Sequence, residues 1–586
     1  MNFRDMLYKK DANVIELSGS RLPDRGLIGG KAWSLCRMKS LGLSVPPAFV
    51  VTTKMCQEYL ASGAFSEPLK SEILVAVSRL EDATERRLGD KEKPLLLSVR
   101  SGAPISMPGM MDTVLNLGMS LETERALALE SGSEKFARDT HLRFLSLYAN
   151  IVLKEPTTIS EDTEPEDIIR LLGGGNLVFQ SPKEQLYKAI EAVFLSWNSR
   201  RAKRYRKHNN IPDDLGTAVV VQAMVFGNLD EQSGTGVLFS RNPLTGSKEP
   251  FGEYLAGAQG EDVVSGTHTP DPISALSKVM PEIYNELLRS AQVLEIENGD
   301  VQDIEFTVQD GELFLLQSRS AKRSPDAAVS FAVDMVDEGR LSIEVALSRV
   351  TSEQVRTLLR PKLSDDCVRE RVTLAKGEPA CNGVSHGVVV LNSEQAEKLS
   401  SEGYEVVLAR ETTSPDDLHG MIASTAVLTE TGGLTSHAAV VGRALGVPCI
   451  VGCGLGSLSS LEGKKVTVDA TSGQVFEGCL PVTRPKENDD PRLVRIRDWA
   501  IARSSMKVIE RSQALAFDIF NLDEQDDCDG PEQILLALKD QKVVSGSVLD
   551  SGVGVLAAIE AGVETIVTDN LLAVTLAVIE ANSATN

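Results

Sequence analysis

The sequence predicts an α/β and α+β multidomain protein. Its 586 residues and 63.2 kDa exceed what a single hydrophobic core usually organises, so three or four domains are expected. Hydrophobic residues make up 42% of the chain and charged residues 24%, which is typical of globular proteins. β-branched runs alternate with segments of helical periodicity, and this pattern changes character near residues 377 and 481. These changes divide the chain into its predicted parts.

The largest predicted part covers residues 1–325. A glycine turn around Gly30, an amphipathic helix and a Pro-Pro bend lead into a β-branched strand. A second strand, at 95–99, runs into a loop rich in glycine and proline, which indicates a mobile or ligand-binding segment. Helical signals dominate residues 120–210, and short β-rich runs separated by turn residues follow from 216 to 320. The pattern predicts a mixed sheet with a helical insertion.

Three smaller parts are predicted after it. Residues 326–370 carry apolar positions at helical spacing and predict a connecting arm. Residues 371–480 alternate strands and glycine turns around a central helix, as a compact α/β unit does. Residues 481–586 begin with a helix and continue in a β-α-β-α rhythm, which predicts a small α/β region. Asp550 lies in a glycine turn of this region, and its interpretation as a turn former is preferred to a functional carboxylate.

Composition argues against several classes of protein. The formal net charge of −23 argues against a nucleic-acid binder, because phosphate backbones require a basic surface. There is no run of eighteen apolar residues and no signal-peptide pattern at the start, so a cytoplasmic protein that does not span a membrane is expected. The basic run Arg200–His208 favours a solvated helix face over an anion site. Cys449 and Cys453 lack a second pair at metal-site spacing, which argues against zinc.

His437, in the stretch TETGGLTSHAAVVGRALGVPCIVG, is the first candidate for chemistry. Gly432 and Gly433 supply a turn, and the hydroxyl of Thr435 or Ser436 is expected to cap the helix that follows. His437 then lies in the first helical turn, where backbone N–H groups and the helix dipole favour a phosphoryl group. A neutral imidazole there is a competent nucleophile toward phosphorus. A buried histidine beside a helix cap would give the same local pattern.

The segment GGLTSHAAVVGRALGVPCIVG resembles the phosphohistidine signature of the phosphoenolpyruvate-utilising enzymes, in particular the pyruvate phosphate dikinase family. Further blocks resemble the amino-terminal ATP-grasp domain of that family, in the same order and with similar separations. They are LIGGKAWSL, LLSVRSGAPISMPGMMDTVLNLG, SGTGVLFSRNPLTG, FGEYLAGAQGEDVVSGTHTP and QDIEFTVQDGELFLLQSRSAKR. Several motifs in a fixed order are far more specific than one glycine motif.

The resemblance implies an ATP-grasp nucleotide-binding domain at 1–325 and a swivelling β/β/α phosphohistidine domain at 371–480. It implies that His437 carries the phosphoryl group and that Arg100 and Arg319 act in its transfer. The positions that match ATP-binding residues of the family are Lys31, Arg100, Gly109, Thr235, Gly236, Glu305, Gln317 and Arg319. An ordinary surface charge is the alternative for each cation, and an ordinary turn is the alternative for Thr235 and the two glycines.

Asp303 and Glu305 match the acidic residues that hold magnesium in the family. The two-residue period of a strand places both side chains on one face, so their carboxylates can converge on one cation. Magnesium takes oxygen ligands together with substrate phosphates, so this pair suits Mg²⁺ better than zinc. A solvated acidic strand would have the same sequence pattern.

Departures from the family limit what the resemblance implies. The segment AWSLCRM replaces a small, alanine-rich continuation after GGK, and the residues around Asn382 and His386 replace smaller ones, although neither change removes a reacting group. The third domain of the family, a barrel of roughly 250 residues that binds pyruvate or phosphoenolpyruvate, does not fit into 481–586. The segments DWAIARSSMKVIERSQA and AIEAGVETIVTDN are only faintly similar to the first part of that barrel.

The expected function is therefore an ATP-dependent, dikinase-type phosphotransferase. In the resembling enzymes, histidine attacks the β-phosphorus of ATP, AMP leaves, and the γ-phosphoryl group passes to inorganic phosphate or water. We expect the remaining phosphohistidine to serve an acceptor other than pyruvate within this chain. Two alternatives are a subunit that serves a separate barrel protein and a degenerate regulatory or binding protein. The final acceptor, which is a small molecule or a protein, stays open, and so does homodimer formation.

Overall fold

The computed structural model describes residues 12–105, 107, 109–155, 163–172, 181–264, 269–359, 362–363, 371–483, 485–514, 517–525 and 530–585. It is a mixed α/β protein with several separate sheets, so the predicted fold class is confirmed. Among the described helices, none combines the length and apolar character that crossing a membrane requires.

The residues described between 12 and 325 form two five-stranded sheets and a short ribbon. Their strands are β1 (Val14–Glu16), β2 (Ala48–Val51), β3 (Arg87–Leu88), β4 (Pro94–Leu95), β5 (Leu97–Gly102), β6 (Thr113–Leu117), β7 (Ala218–Ala223), β8 (Gly234–Phe239), β9 (Phe251–Ala256), β10 (Asp271–Pro272), β11 (Gln302–Gln309) and β12 (Glu312–Ser320). The strand orders are β1-β2-β7-β5-β6 and β10-β9-β8-β11-β12, and every pairing in these two sheets is antiparallel.

Helices cover the two sheets and form a separate helical layer between residues 121 and 208. They are α1 (Arg25–Ser40), α2 (Thr53–Ser62), α3 (Glu67–Thr84), α4 (Leu121–Ser131), α5 (Glu134–Tyr148), α6 (Pro165–Leu171), α7 (Pro182–Ser196), α8 (Arg200–His208), α9 (Gly260–Val264), α10 (Leu276–Val279) and α11 (Pro281–Asn298). One buried apolar cluster joins α1 and α11 to both sheets. Helices α2 to α7 pack on the opposite face of the first sheet.

A helical arm follows, made of α12 (Pro325–Asp337), α13 (Ile343–Leu347) and α14 (Ser352–Leu358). Arg241, only 5% exposed at its side chain, joins α11 to the end of α12. Its Nη2 lies 2.8 Å from Glu295 Oε1 and 2.7 Å from Glu338 Oε2. The bonds from Arg241 and Lys248 lower the pKa of Glu338 to about 2, in spite of its partial burial. This buried ion network fixes the arm to the second sheet.

The next unit is an eight-stranded mixed sheet with three helices. Its strands are β14 (Thr373–Lys376), β15 (Glu378–Cys381), β16 (Val384–Val390), β17 (Val406–Arg410), β18 (Ala426–Thr429), β19 (Cys449–Val451), β20 (Lys465–Asp469) and β21 (Gln474–Glu477). Its helices are α15 (Ser393–Ser401), α16 (Leu418–Ala423) and α17 (His437–Leu445). The strand order is β14-β21-β20-β16-β17-β18-β19-β15. On either side of this unit, β13 (Lys362–Leu363) and β22 (Val482–Thr483) pair antiparallel.

The C-terminal unit is a four-stranded parallel sheet with helices. Its elements are α18 (Pro491–Ile501), β23 (Lys507–Glu510), β24 (Phe520–Asn521), α19 (Pro531–Leu538), β25 (Val543–Ser545), α20 (Gly552–Glu560), β26 (Thr565–Thr568) and α21 (Leu571–Thr585). Helices α18 and α21 share an apolar cluster with α12, α13 and α14. Arg492 and Arg495 also pair with carboxylates of α12. The unit is therefore docked on the helical arm.

Candidate active site

Four predicted site residues meet where the two N-terminal sheets and α1 converge. Arg100 lies in β5 of the first sheet, and its Nη2 donates to Oε2 of Glu305, in β11 of the second sheet, over 3.0 Å. Next to this pair, Nε of Arg319 in β12 donates to Asp303 Oδ2 over 2.8 Å. Arg100 and Glu305 are 205 positions apart in the sequence, and their ion pair bridges the two sheets. The Arg319–Asp303 pair links neighbouring strands of the second sheet.

Lys31 completes the cluster because α1 is broken at Gly29. Gly29 has φ 77°, and a Cβ at this position would stand 1.6 Å from the carbonyl oxygen of Gly102, at the end of β5. The absence of a side chain lets α1 approach β5 and puts Lys31 beside Arg100. Burial, together with the charge of Arg100, lowers the pKa of Lys31 to about 7. A lysine in this condition is poised to gain charge when an anion arrives.

The carboxylates of the cluster fit a divalent cation that a substrate helps to hold. Burial alone would raise the pKa of Glu305, but the charges of Arg100, Arg319 and Lys31 hold it below its ordinary value. Asp303 is 4% exposed, and its Oδ1 has no hydrogen-bond partner among the described residues. Within the same residues, no group of three or more His, Cys, Asp or Glu side chains could bind a metal alone. The chemistry thus suits Mg²⁺, which binds few carboxylates together with phosphates.

The structure also shows what surrounds three other predicted ATP-binding residues: Gln317, Thr235 and Gly236. Gln317 is the cross-strand partner of Glu305 and is buried. The hydroxyl of Thr235, in β8, donates to the carbonyl of Phe306 over 2.9 Å. A Cβ on Gly236 would lie 2.4 Å from the carbonyl oxygen of Glu253 and 2.7 Å from the ring of Phe306. Close contacts with the neighbouring strands β9 and β11 therefore account for Gly236.

Gly109 lies where the N-terminal part of the chain contacts His437. It lies in the loop between β5 and β6 with φ 69°, where glycine is favoured. A Cβ at this position would stand 2.9 Å from the ring of Pro415 and 3.6 Å from Cδ2 of His437. Met107 and Met110 of the same loop belong to one buried apolar cluster with residues of α17. The eight-stranded unit is therefore docked with its histidine against the loop that follows Arg100.

His437 is the first residue of α17, so its predicted place in the first helical turn is confirmed. Its Nδ1 lies 3.2 Å from the hydroxyl of Thr413, while its buried Nε2 has no hydrogen-bond partner in the described chain. Burial lowers the pKa of His437 to about 4, although the charge of Asp417 opposes this. The imidazole is therefore neutral at pH 7, as a nitrogen nucleophile must be.

The prediction that a hydroxyl group caps this helix is wrong. Ser436 occupies the cap position, but its side chain makes no capping bond, and its Oγ is buried without a partner in the described part of the chain. The Thr435 hydroxyl instead donates to Glu253 Oε2, and the Leu434 N–H donates to Glu253 Oε1 over 2.9 Å. Burial raises the pKa of Glu253, and these bonds oppose the rise. The Thr435 hydroxyl is therefore occupied by a distant carboxylate and does not cap the helix.

Three residues that the sequence analysis missed therefore shape the site. Glu253 in β9 binds the turn before His437 from 181 positions away, so no spacing signal could indicate it. Thr413 orients the imidazole from the segment after β17. Arg443, four per cent exposed in α17, donates to the carbonyls of Ala380 and Leu434 at 3.2 and 3.0 Å.

Other sequence interpretations have mixed outcomes. The basic run is helix α8, but Arg206 is buried, with its guanidinium carbon 4.1 Å from the centroid of the Trp197 ring, so only part of the run is a solvated face. Asp550 accepts bonds from Thr568 over 2.7 Å and from Asn570 over 2.8 Å, which supports a structural role for it.

Comparison with family models finds matches to two separate regions of this chain. Residues 25–73 and 63–284 match the model described as "Pyruvate phosphate dikinase, AMP/ATP-binding domain". Residues 403–473 match the model described as "PEP-utilising enzyme, mobile domain". The first match contains Lys31 and Arg100, and the second contains His437. The two matched regions are those that meet at Gly109.

Curated relatives extend the similarity over most of the chain. The chain is 42% identical over 502 residues to pyruvate, phosphate dikinase 1 of Zea mays, which covers 79% of this chain and 53% of the relative. It is 41% identical to the pyruvate, phosphate dikinase of Rickettsia conorii and 39% identical to that of Clostridium symbiosum. These two alignments cover 83% of this chain and 59% and 60% of the relatives. The chain thus spans little more than half the length of the relatives it matches, and it belongs to the family of phosphoenolpyruvate-utilising enzymes that includes the pyruvate phosphate dikinases.

Proposed function

We propose that the chain is an ATP-dependent, dikinase-type phosphotransferase that forms phosphohistidine on His437 and releases AMP. The observation that carries this proposal is the docking of a neutral histidine, with a free Nε2, against the loop that follows Arg100. The proposal also draws on the matches to an AMP/ATP-binding domain and to a mobile domain of the phosphoenolpyruvate-utilising enzymes. We expect it to act in the cytoplasm.

The nucleophile in this proposal is Nε2 of His437. If Nδ1–H donates to Thr413 Oγ1, the lone pair of the neutral ring resides on Nε2. Nε2 attacks the β-phosphorus of ATP, an N–P bond forms, and the oxygen bridge to the α-phosphorus breaks, so that AMP leaves with the bonding electrons. The γ-phosphoryl group then passes to inorganic phosphate or to water. A phosphoryl group derived from the β-position remains on His437.

The cations of the cluster have separate roles in this proposal. Lys31 and Arg100 hold the phosphates, and Arg319 stabilises the charge that develops on the oxygens as the bridge breaks. Gly109, Thr235, Gly236 and Gln317 complete the proposed ATP-binding set. Because Arg100 pairs with Glu305 and Arg319 pairs with Asp303, both guanidinium groups are oriented before ATP arrives.

Asp303 and Glu305 would hold Mg²⁺ together with the phosphates of ATP. When bound, this ion supplies positive charge that neutralises the phosphate oxygens during transfer. The free Oδ1 of Asp303 is the observation that supports this assignment.

The acceptor in the second half-reaction is proposed to be something other than pyruvate within this chain. One alternative is an acceptor bound by the C-terminal unit, and the other is a separate barrel protein that receives the phosphoryl group. We favour the first alternative because the C-terminal unit forms its own parallel sheet, and ligands commonly bind at the carboxyl edge of such sheets. Intact Arg100, Glu305, Arg319 and His437 count against a degenerate regulatory protein.

The identity of the nucleotide product tests the proposed function. Incubation of the protein with ATP, Mg²⁺ and inorganic phosphate is expected to release AMP in an amount equal to the phosphohistidine formed. The measurement is chromatography of the nucleotides, with pyrophosphate assayed in the same samples. ADP formed in place of AMP would indicate an ordinary kinase and would overturn the dikinase proposal.

A second prediction follows from the lowered pKa of Lys31. With a pKa of about 7, Lys31 is mostly neutral at pH 8 in the free protein, and bound phosphates should return it to the charged form. Binding of α,β-methylene ATP, which cannot release AMP, is therefore expected to take up close to one proton at pH 8 and much less at pH 6. Calorimetry in buffers of different ionisation enthalpy measures this uptake.

The matched pair for this measurement is Lys31→Met, just after the break in α1 at Gly29, and Lys39→Met, in the last turn of the same helix. The first change should abolish proton uptake, and the second should leave it unchanged. Equal uptake by the wild type and by Lys31→Met would rule out Lys31 as the titrating group.

A further inference from the structure

Helix α8 has an exposed basic face. Its positions 200, 203, 204 and 207 follow the spacing that brings side chains to one side of a helix. On the opposite side, Ala202 and Arg206 are buried. The exposed side chains at the four positions are Arg200, Lys203, Arg204 and Lys207. This basic face therefore presents positive charge to solvent along the whole length of the helix.

The four cations of the basic face have no ion-pair partner within the described residues. Two other arginines of the helix do pair: Arg201 Nη2 lies 2.5 Å from Asp112 Oδ1, and Arg206 Nη2 lies 2.6 Å from Asp213 Oδ1. These two carboxylates neutralise arginines that are buried or half-buried. The basic face thus keeps its charge.

Another side of α8 adjoins the candidate active site. Arg201 Nε donates over 3.2 Å to the carbonyl of Met110, in the loop that contacts the eight-stranded unit. Tyr205, one turn further along α8, packs against the buried apolar cluster that Met110 shares with α17. Burial raises the pKa of Tyr205, and the positive charge of Arg319 opposes this rise, so the phenol lies near that guanidinium. Helix α8 therefore borders both the loop and the charged cluster of the candidate active site.

The charged cluster itself has little net positive charge with which to attract an anion. Arg100 pairs with Glu305, and Arg319 pairs with Asp303. Lys31, with its pKa lowered to about 7 by burial and by the charge of Arg100, is charged in about half of the molecules at pH 7. The formal net charge of the whole chain is −23, so its mean field repels an anionic nucleotide. Attraction must come from unpaired cations near the site.

We propose that the basic face of α8 attracts ATP from solution and steers it to the charged cluster. The ligand class is a nucleoside polyphosphate, because its negative charge complements the four cations. A patch of one sign beside a site raises the association rate constant of a ligand of opposite charge by about 10- to 10³-fold. This role of α8 rests on the proposed function, since it takes the charged cluster as the ATP-binding site, but it does not require transfer to His437.

The association rate constant of a fluorescent, ribose-labelled α,β-methylene ATP tests the proposal, and stopped-flow fluorescence measures it. In Lys203→Glu/Lys207→Glu this rate constant is expected to be about 10-fold below the wild-type value at an ionic strength of about 0.01 M. The difference should nearly vanish at about 1 M, where screening limits the field to about 3 Å. The dissociation rate constant should not change, because charges outside the contact mainly affect association.

Two control variants accompany this measurement. Lys539→Glu/Lys542→Glu makes the same change in net charge at exposed positions of the C-terminal unit, and it should associate like the wild type at every ionic strength. Lys203→Arg/Lys207→Arg keeps the charge of the basic face, so its association rate constant should also equal that of the wild type. Equal affinities of all variants at high salt would show that the nucleotide site is folded in each of them.

An association rate constant that does not respond to the charge reversal would overturn the proposal and leave the basic face to a macromolecular partner. Faster dissociation with unchanged association would overturn it too, because the lysines would then hold the bound nucleotide. So would a wild type that does not bind the analogue. A protein that shows the expected salt dependence but forms no phosphohistidine from ATP would refute the proposed function and leave the steering role intact.

Discussion

Replacing His437 with Asn is expected to abolish the label that the protein takes from ATP labelled at the β-phosphorus. Asn has a similar size and can still contact Thr413, but its amide nitrogen has no available lone pair for attack on phosphorus. Nε2 of His437 is the buried ring nitrogen without a hydrogen-bond partner in the described chain at this interface. The loss should therefore be complete, within the detection limit, because no second nucleophile replaces it.

The measurement is retention of label on the denatured protein after acid or alkali treatment. A phosphoramidate on imidazole is lost in acid and survives alkali, so the wild type should show this pattern. His386→Asn is the matched control, because His386 is an exposed histidine of the same unit whose ring pairs with Glu405 at the surface. That variant should label like the wild type. Alkali-stable label on His437→Asn would show that the nucleophile is another residue.

Nucleotide binding separates this result from misfolding. Since Lys31, Arg100 and Arg319 lie outside the eight-stranded unit, His437→Asn should bind α,β-methylene ATP with nearly wild-type affinity. Loss of binding together with loss of label would indicate that the substitution disturbs how the eight-stranded unit packs against the rest of the chain. The role of His437 as nucleophile would then be tested with a milder substitution such as His437→Gln.

The start of α17 could be predicted from the sequence because its signals are local. Gly432 takes φ 97° and Gly446 takes φ 68°, so the two glycines bound the turn and the end of the helix by backbone conformation alone. The capping hydroxyl was predicted on the same local grounds and was wrong. Glu253 binds Thr435 and the Leu434 N–H across the interface between units, and this tertiary contact, which no local pattern reveals, occupies the Thr435 hydroxyl.

The cluster formed by Lys31, Arg100, Asp303, Glu305 and Arg319 could be proposed only from the resemblance. The two-residue period puts Asp303 and Glu305 on one face of β11, but it says nothing about which arginines face them. Arg100 reaches Glu305 because β5 and β11 belong to sheets that pack through a shared core, which no short window of sequence reveals. Likewise, the β-α rhythm predicts the C-terminal strands, while the pairing of β23 with β26 depends on contacts 58 positions apart, as between Lys507 and Thr565.

Replacing Arg319 with Ala is expected to slow the loading of His437 by about 10²- to 10³-fold. Its guanidinium Nε donates to Asp303 Oδ2 over 2.8 Å, and the neighbouring charge of Asp303 raises the pKa of Arg319. The group is thus charged and fixed in place before ATP binds, so it needs no reorganisation as charge develops on the phosphate oxygens. ATP affinity should fall less than the rate, because Lys31 and Arg100 remain.

Rapid mixing with ATP, followed by an alkaline quench, measures the rate constant of label formation in a single turnover. Arg289→Ala, an exposed arginine of α11, is the control and should load at the wild-type rate. Arg319→Lys keeps the charge but lacks the planar fork, so its rate should lie between the wild type and Arg319→Ala. The Ala variant also leaves Asp303 without its arginine, so thermal unfolding is recorded for each variant. An unchanged loading rate in a folded Arg319→Ala protein would mean that the positive charge acting on the transferred phosphoryl group comes from elsewhere, and Lys31 and Arg100 would be the next residues to replace.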